Sequence, residues 1–320
     1  MSKSKKALVT GITGFAGSHL ADLLLKEGYE VFGTTRPRSK MEHIETIQDK
    51  LKLFDADLID SHSLSTVLGE IKPDYIFHLA AQAFVPTSWS SPATTMESNV
   101  TGTIHLFEAV RRAKIDPVIQ IACSSEEYGL VYKNEAPITE ENPLRPLSTY
   151  AVSKIAMDFL GYQYFKSYGM KIIRTRGFNH TGPRQGDVYV CSTFAKQVAS
   201  IEAGKSKPEI KVGNIESYRD FTDVRDMVRG YVLSVEKCDA GDVYNLASEK
   251  TWQIKKVLDM LIEMSKVKIT IKQDPTRMRP SDVELLLGDA TKFKKKTGWK
   301  TEIPFEQTLE DLLNYWRDRV

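Results

Sequence analysis

The sequence predicts an α/β protein, a Rossmann-type doubly wound parallel sheet with a smaller interleaved α/β substrate domain. Three observations predict it. Strand-like and helix-like runs alternate from the start, the pattern of a parallel sheet with helices on both faces. A glycine-rich turn, Thr10-Gly11-Ile12-Thr13-Gly14-Phe15-Ala16-Gly17, joins the apolar run Ala7-Leu8-Val9 to a helical pattern with Leu20, Leu23 and Leu24 on one face. The 320 residues suffice for a sizeable core, as one large or two intimately packed domains.

In order along the chain, strands are expected at residues 7–9, 30–33, 52–54, 75–79, 118–123 and 171–175, and helices at 17–26, 61–71, 96–113 and 150–168. No repeat and no low-complexity linker interrupts them. After Thr175 the segments shorten, with turn signals at Gly182-Pro183, Gly204, Gly213-Asn214 and Asp274-Pro275. The reading is a dinucleotide-binding domain over 1–175 and a substrate domain over 176–320, interleaved with the first. Their cleft is expected at the carboxyl ends of the strands, where such sheets bind ligands.

Bulk properties exclude several classes. A formal net charge of +2 provides no broad basic field for nucleic acid, although local arginines can still hold phosphates. Cys123, Cys191 and Cys238 are odd in number and lack metal-ligand spacing, so no metal is expected and a reduced, cytoplasmic compartment fits. The start, Met1-Ser2-Lys3-Ser4-Lys5-Lys6, runs into the first strand without an apolar signal region. No stretch is long enough to span a bilayer, so neither secretion nor a membrane partner is expected.

The glycines point to the first ligand. Gly11, Gly14 and Gly17 let the backbone turn tightly and approach a pyrophosphate at the positive end of the following helix. The second strand ends Gly33-Thr34-Thr35-Arg36-Pro37-Arg38, where an NAD-specific fold places a ribose-binding acid. Arg36 stands there instead. Arginine pairs with a 2′-phosphate through its planar fork, which favours NADP(H); a merely solvated turn is the alternative.

A second motif, Tyr150-Ala151-Val152-Ser153-Lys154, places a phenol and an ammonium one helical turn apart. A free tyrosine has a pKa of about 10, and a fixed cation nearby favours its phenolate, so the pair can move a proton near neutral pH. Ser124-Ser125-Glu126-Glu127-Tyr128-Gly129 follows the fifth strand, and a hydroxyl there can hold the oxygen of a carbon undergoing hydride transfer. Together these residues read as redox chemistry at a carbinol carbon. His78, at the end of the fourth strand, is expected to pack rather than react.

The order of fingerprint, serine cluster and Tyr-x-x-x-Lys resembles the short-chain dehydrogenase/reductase superfamily, specifically its extended branch acting on nucleotide sugars. The resemblance covers essentially the whole chain. Gly177-Phe178-Asn179-His180-Thr181-Gly182-Pro183 is similar to the substrate loop of GDP-mannose dehydratases and the reductases that follow them. Val212-Gly213-Asn214 and Ser217-Tyr218-Arg219-Asp220-Phe221-Thr222-Asp223-Val224 resemble that family's nucleotide-contacting stretch, and Met278-Arg279-Pro280-Ser281-Asp282-Val283-Glu284 its later arginine motif.

The resemblance implies roles. Ser124 would hold the reacting oxygen, Tyr150 act as acid and base, and Lys154 bind the nicotinamide ribose and lower the tyrosine pKa. Thr13, Phe15 and Ala16 join the three glycines and Arg36 in cofactor binding. Asp57 and Leu58 form the adenine-contacting turn, and Leu79, Ala80 and Ala81 lie against the cofactor. Ser125, Asn179, Val190, Lys196, Val212, Asn214, Arg219, Arg279 and Asp282 would bind substrate.

Glu126 separates subclasses. A 4,6-dehydratase must remove the C5 proton and help the 6-hydroxyl leave, which calls for a carboxyl group beside the sugar. Ser124-x-Glu126 reproduces the dehydratases' spacing; a solvated acidic turn with Glu127 is the other reading. The expected function is an NADP-dependent GDP-sugar 4,6-dehydratase making a GDP-4-keto-6-deoxyhexose. The alternative is a GDP-4-keto-6-deoxy-D-mannose reductase using NADPH. A non-catalytic NADP-binding sensor has no need of Ser124, Tyr150 and Lys154 together. One departure stands out: Arg36-Pro37-Arg38-Ser39-Lys40 is short where the dehydratases carry a longer basic insertion. A homodimer through helices 96–113 and 150–168 is therefore expected, with a tetramer as the alternative.

Overall fold

The computed structural model describes residues 4–277 and 283–320. Strand and helix alternate through β1 (Lys6–Thr10), α1 (Phe15–Lys26), β2 (Glu30–Thr35), β3 (Lys52–Asp55), α2 (Ser61–Ile71), β4 (Tyr75–His78), α3 (Val85–Ser90), α4 (Pro92–Met96), α5 (Gly102–Arg112), β5 (Val118–Ser124), α6 (Thr149–Tyr168) and β6 (Ile172–Gly177). The chain continues through β7 (Asn179–Thr181), α7 (Val190–Glu202), β8 (Glu209–Val212), β9 (Tyr218–Asp223), α8 (Val224–Lys237) and β10 (Val243–Leu246). It closes with β11 (Thr251–Gln253), α9 (Ile254–Glu263), β12 (Thr270–Gln273), β13 (Leu285–Leu286), α10 (Thr291–Thr297) and α11 (Phe305–Arg317).

The main sheet has seven strands in the order β3-β2-β1-β4-β5-β6-β10, all parallel. The order reverses between β1 and β4, so the loops after these strands part and leave a crevice at their carboxyl ends. Alternate residues bury opposite faces. Ala7 and Val9 join a core with Leu20 and Leu24 of α1 and Met227 and Tyr231 of α8, while Leu8 joins a second core with α2 and α5. A third core, from Phe194, Val198, Leu258 and Leu309, lies between α7, α9 and α11. Smaller sheets, β11-β9-β13 with β7 on β9 and β12 beside β8, complete this second lobe. The lobes interlock: β7 follows β6 directly, while α8 and β10 return to the main sheet.

Most expected elements shift by one or two residues at their ends, and two of the differences have a clear physical reason. The sixth strand reaches Gly177 because all its residues are buried and it is paired on both sides. The helix expected at 96–113 starts at Pro92, whose fixed φ suits a first helical position, and passes through a π turn at Glu97–Thr101 before α5. Among the described residues, no helix is long and apolar enough to cross a membrane.

Candidate active site

The turn after β1 is built for close backbone approach. Gly11 adopts φ +71°, and the Gly14 N–H donates to the Gly11 carbonyl at 3.0 Å. A Cβ on Gly17 would sit 2.2 Å from that carbonyl oxygen, so only glycine lets α1 start here. No side chain caps the N-terminus of α1, and its first turn holds no acid. Its N–H groups and positive dipole end therefore have no competing anion from the helix's own first turn, which fits a pyrophosphate.

The facing wall is the end of β4. The Thr10 hydroxyl accepts from the N–H groups of Leu79 and Ala80, each at 3.1 Å, and lies 2.9 Å from His78 Nδ1. Nε2 of His78 meets Thr103 at 3.0 Å, and burial lowers the histidine pKa to about 3. His78 is a packing residue. Asn99, which sequence reasoning missed, sits on the π turn. Its side chain joins Gln82 N–H (2.7 Å) and Gln82 carbonyl (3.0 Å) to the Ser153 hydroxyl (2.9 Å). A π turn leaves no signature in local propensity.

The remaining cofactor candidates surround this crevice. Ala81, Thr13 and Ala16 are partly buried. Phe15 stacks on His180 at 5.8 Å, joining α1 to β7. Arg36 is exposed at the end of β2, where its N–H donates to the Ser39 hydroxyl at 3.0 Å. Asp57 accepts from the Ile59 N–H at 3.2 Å, and Leu58 is buried beneath Gly102. An uncapped α1, a Gly11 packed close against Ala80 and an exposed arginine at the end of β2 fit a dinucleotide carrying a 2′-phosphate.

The reactive groups converge where β5 ends. A single 3-10 turn follows Ser124, whose hydroxyl accepts from the Glu126 N–H at 3.2 Å. Tyr150 lies in the first turn of α6, a helix capped by Ser148, with its phenol near enough to the Ser124 side chain to be influenced by it. Burial drives the Tyr150 pKa up, opposed by the Ser124 side chain and reinforced by Tyr189, Glu126 and Glu127. Lys154 Nζ donates to the Ala122 carbonyl at 2.7 Å and lies 5.8 Å from the Tyr150 ring centroid. Burial lowers the lysine pKa. Desolvation is the dominant influence on the Tyr150 phenol in this structure.

Beside this pair opens a cleft lined by Val85, Trp89, Ser125, Glu126, Leu147 and Arg219, among others. The fold thus brings Ser125 and Glu126, on the 3-10 turn after β5, together with Arg219 of β9. Val85, Trp89 and Leu147 were not foreseen, because a six-residue helix and a loop carry no periodic signal. The Asn179 side chain keeps a buried Nδ2 without a hydrogen-bond partner. Val190 opens α7. Lys196 is held by Asp187 at 2.6 Å and lies 5.0 Å from the Trp316 ring. Val212 is buried in the third core, and Asn214 accepts from the Glu216 N–H. Arg279 and Asp282 lie outside the described residues.

Comparison with known proteins agrees with this architecture. The family model described as GDP-mannose 4,6 dehydratase matches residues 8–312. GDP-6-deoxy-D-mannose reductase of Pseudomonas aeruginosa is 32% identical over 317 residues, covering 99% of both chains. GDP-mannose 4,6-dehydratase of Vibrio cholerae is 33% identical over 350 aligned positions, covering 97% of this chain and 93% of its own. The structure of RMD from Pseudomonas aeruginosa complexed with NADPH superposes with a TM-score of 0.87 at 31% identity, covering 99% of this chain and 100% of that one. A match across nearly the whole length, on a sheet of this order with a Ser124–Tyr150 pair at its carboxyl edge, places the chain in the GDP-mannose 4,6-dehydratase family of extended short-chain dehydrogenase/reductase enzymes.

Proposed function

We propose that this enzyme is an NADP-dependent GDP-mannose 4,6-dehydratase, forming a GDP-4-keto-6-deoxyhexose. One observation carries the reading: Glu126 lines the substrate-side pocket with Ser125 and Arg219, two residues beyond the Ser124 that lies beside Tyr150. In this reading residues 1–175 hold the cofactor and 176–320 the nucleotide sugar. The nicotinamide, when bound, supplies the hydride acceptor and donor. Ser124 holds the 4-oxygen while Tyr150 takes its proton. Glu126 then removes the proton at C5 and assists loss of the 6-hydroxyl, the task for which a second ionisable group is needed. Lys154 secures the nicotinamide ribose, and Arg219 and Asn179 offer donors to the diphosphate and sugar.

The test is incubation with GDP-mannose and catalytic NADP⁺. A 4-keto product is expected, with no net consumption of cofactor. A second reading has its own support: the alignment with the reductase spans 317 residues, whereas that with the dehydratase spans 350, more than the 320 of this chain. If GDP-hexoses yield no 4-keto product and NADPH is consumed with GDP-4-keto-6-deoxymannose, the reductase reading replaces the first.

Cofactor preference is a separate prediction. NADP(H) binds more tightly than NAD(H), and Arg36→Asp weakens NADP(H) binding by about 10- to 100-fold, as loss of a charge-assisted pair implies, and reverses the order. Titration showing that the unmodified protein prefers NAD(H) sinks this assignment. We also propose a cytoplasmic homodimer. Val152, Phe159 and Tyr162 of α6 are exposed, an apolar face that a second copy would cover, and the three cysteines are unpaired.

A further inference from the structure

Glu127 points the opposite way from its neighbour Glu126. Its side chain is fully buried, and Oε1 accepts from the backbone N–H of Ser124 at 2.8 Å. Oε2 lies 3.2 Å from Arg176 Nε on β6, and the same Nε donates to Asp158 Oδ2 at 2.8 Å. Asp158 stands one turn beyond Lys154 on α6 and also bonds Arg174. Arg176 reaches on to the Tyr128 hydroxyl at 3.1 Å, and that hydroxyl donates to Asn245 of β10 at 2.7 Å. Cys123, Glu127 and Asp158 place donor atoms within 4.8 Å of one another. Arg176 already supplies the positive charge, and burial keeps the thiol protonated, so this is an ion-pair cluster rather than a metal site.

We propose that Glu127 is a positioning residue for the reaction: its buried carboxyl fixes Ser124 by the backbone N–H and ties it, through Arg176 and Asp158, to the helix that carries Tyr150 and Lys154. The inference rests on Ser124 holding the reacting oxygen, as proposed above. Few local forces otherwise hold a serine at the last residue of a strand, where the ladder ends. A buried acceptor for its N–H removes the freedom to turn, and a displacement of about 1 Å at a reacting centre can cost about 100-fold in rate. Burial and the neighbouring Asp158 push the Glu127 pKa well up. Its neutral form still accepts from Ser124 while donating towards Asp158, which is why an amide should serve in its place.

The experiment is a double-mutant cycle on the full-length enzyme, assayed with whichever nucleotide sugar it turns over. Glu127→Leu is expected to lower kcat by about 10- to 100-fold with KM within about twofold. Glu127→Gln, which keeps the acceptor, should retain kcat within about fivefold. On a Ser124→Ala background, Glu127→Leu should cause no further loss, because the hydroxyl it aligns is gone. Equal losses on both backgrounds, a Gln variant as impaired as Leu, or normal kcat in Glu127→Leu overturns the proposal. Full activity in Ser124→Ala overturns the reading of Ser124 as well, which separates the two failures. Should the Leu variant not fold, Glu127→Asp keeps a carboxyl group but withdraws it from the Ser124 N–H. The same selective loss of kcat supports the role, and unchanged kcat overturns it.

Discussion

Tyr150→Phe lowers turnover by about 10²–10⁴-fold and leaves nucleotide-sugar affinity nearly unchanged, because it removes the proton-transferring oxygen and keeps the ring. The ring fills a buried place at the start of α6, so the variant should fold normally. The sign of the pH dependence follows from the same surroundings. Burial raises the Tyr150 pKa above that of a free phenol, so at neutral pH the group is protonated. Taking a proton from the 4-hydroxyl requires the phenolate, whose fraction grows about tenfold per pH unit below the pKa. In the dehydratase direction kcat/KM should therefore rise between pH 6 and 8, measured at fixed ionic strength. Reduction of a 4-ketone uses the protonated phenol and should show no such rise. Near-normal turnover in Tyr150→Phe would make the tyrosine structural.

Glu126→Gln separates the two readings of the enzyme's activity. In a dehydratase the variant keeps Ser124 and Tyr150, so oxidation at C4 proceeds, but the base for C5 is gone. Adding substrate should produce reduced-nicotinamide absorbance that persists, while water loss slows by about 10²–10⁴-fold. In the unmodified enzyme solvent deuterium should enter C5. A reductase needs only the hydroxyl, the phenol and the lysine, so the same substitution would be mild and C5 would stay unlabelled. A mild Glu126→Gln phenotype with no deuterium at C5 would remove the dehydratase assignment. The pocket leaves room for either result, since a carboxylate beside Arg219 could also serve substrate binding alone.

Much of the site could be read before folding because its motifs are local. A left-handed Gly11, a Gly17 pressed against the Gly11 carbonyl, and a tyrosine and lysine one turn apart are consequences of near-neighbour geometry. The alternation of strand and helix up to Gly177, and the carboxylate two residues beyond Ser124, are local in the same sense. What tertiary packing decided is of another kind. Nothing within 224–246 announces that α8 and β10 return to the main sheet, because that choice depends on covering a face left open beside α1 and β6. Glu126 and Glu127 are indistinguishable as a sequence pair; the 3-10 turn after β5 sends one to the pocket and the other into an arginine-lined interior. Val85, Trp89 and Leu147 meet Arg219 only because distant segments share one wall. Lys154 finds the Ala122 carbonyl, and Tyr150 its raised pKa, through desolvation by elements far along the chain. Spacing sets which groups can meet, whereas burial sets their charge, and burial is a property of the whole fold.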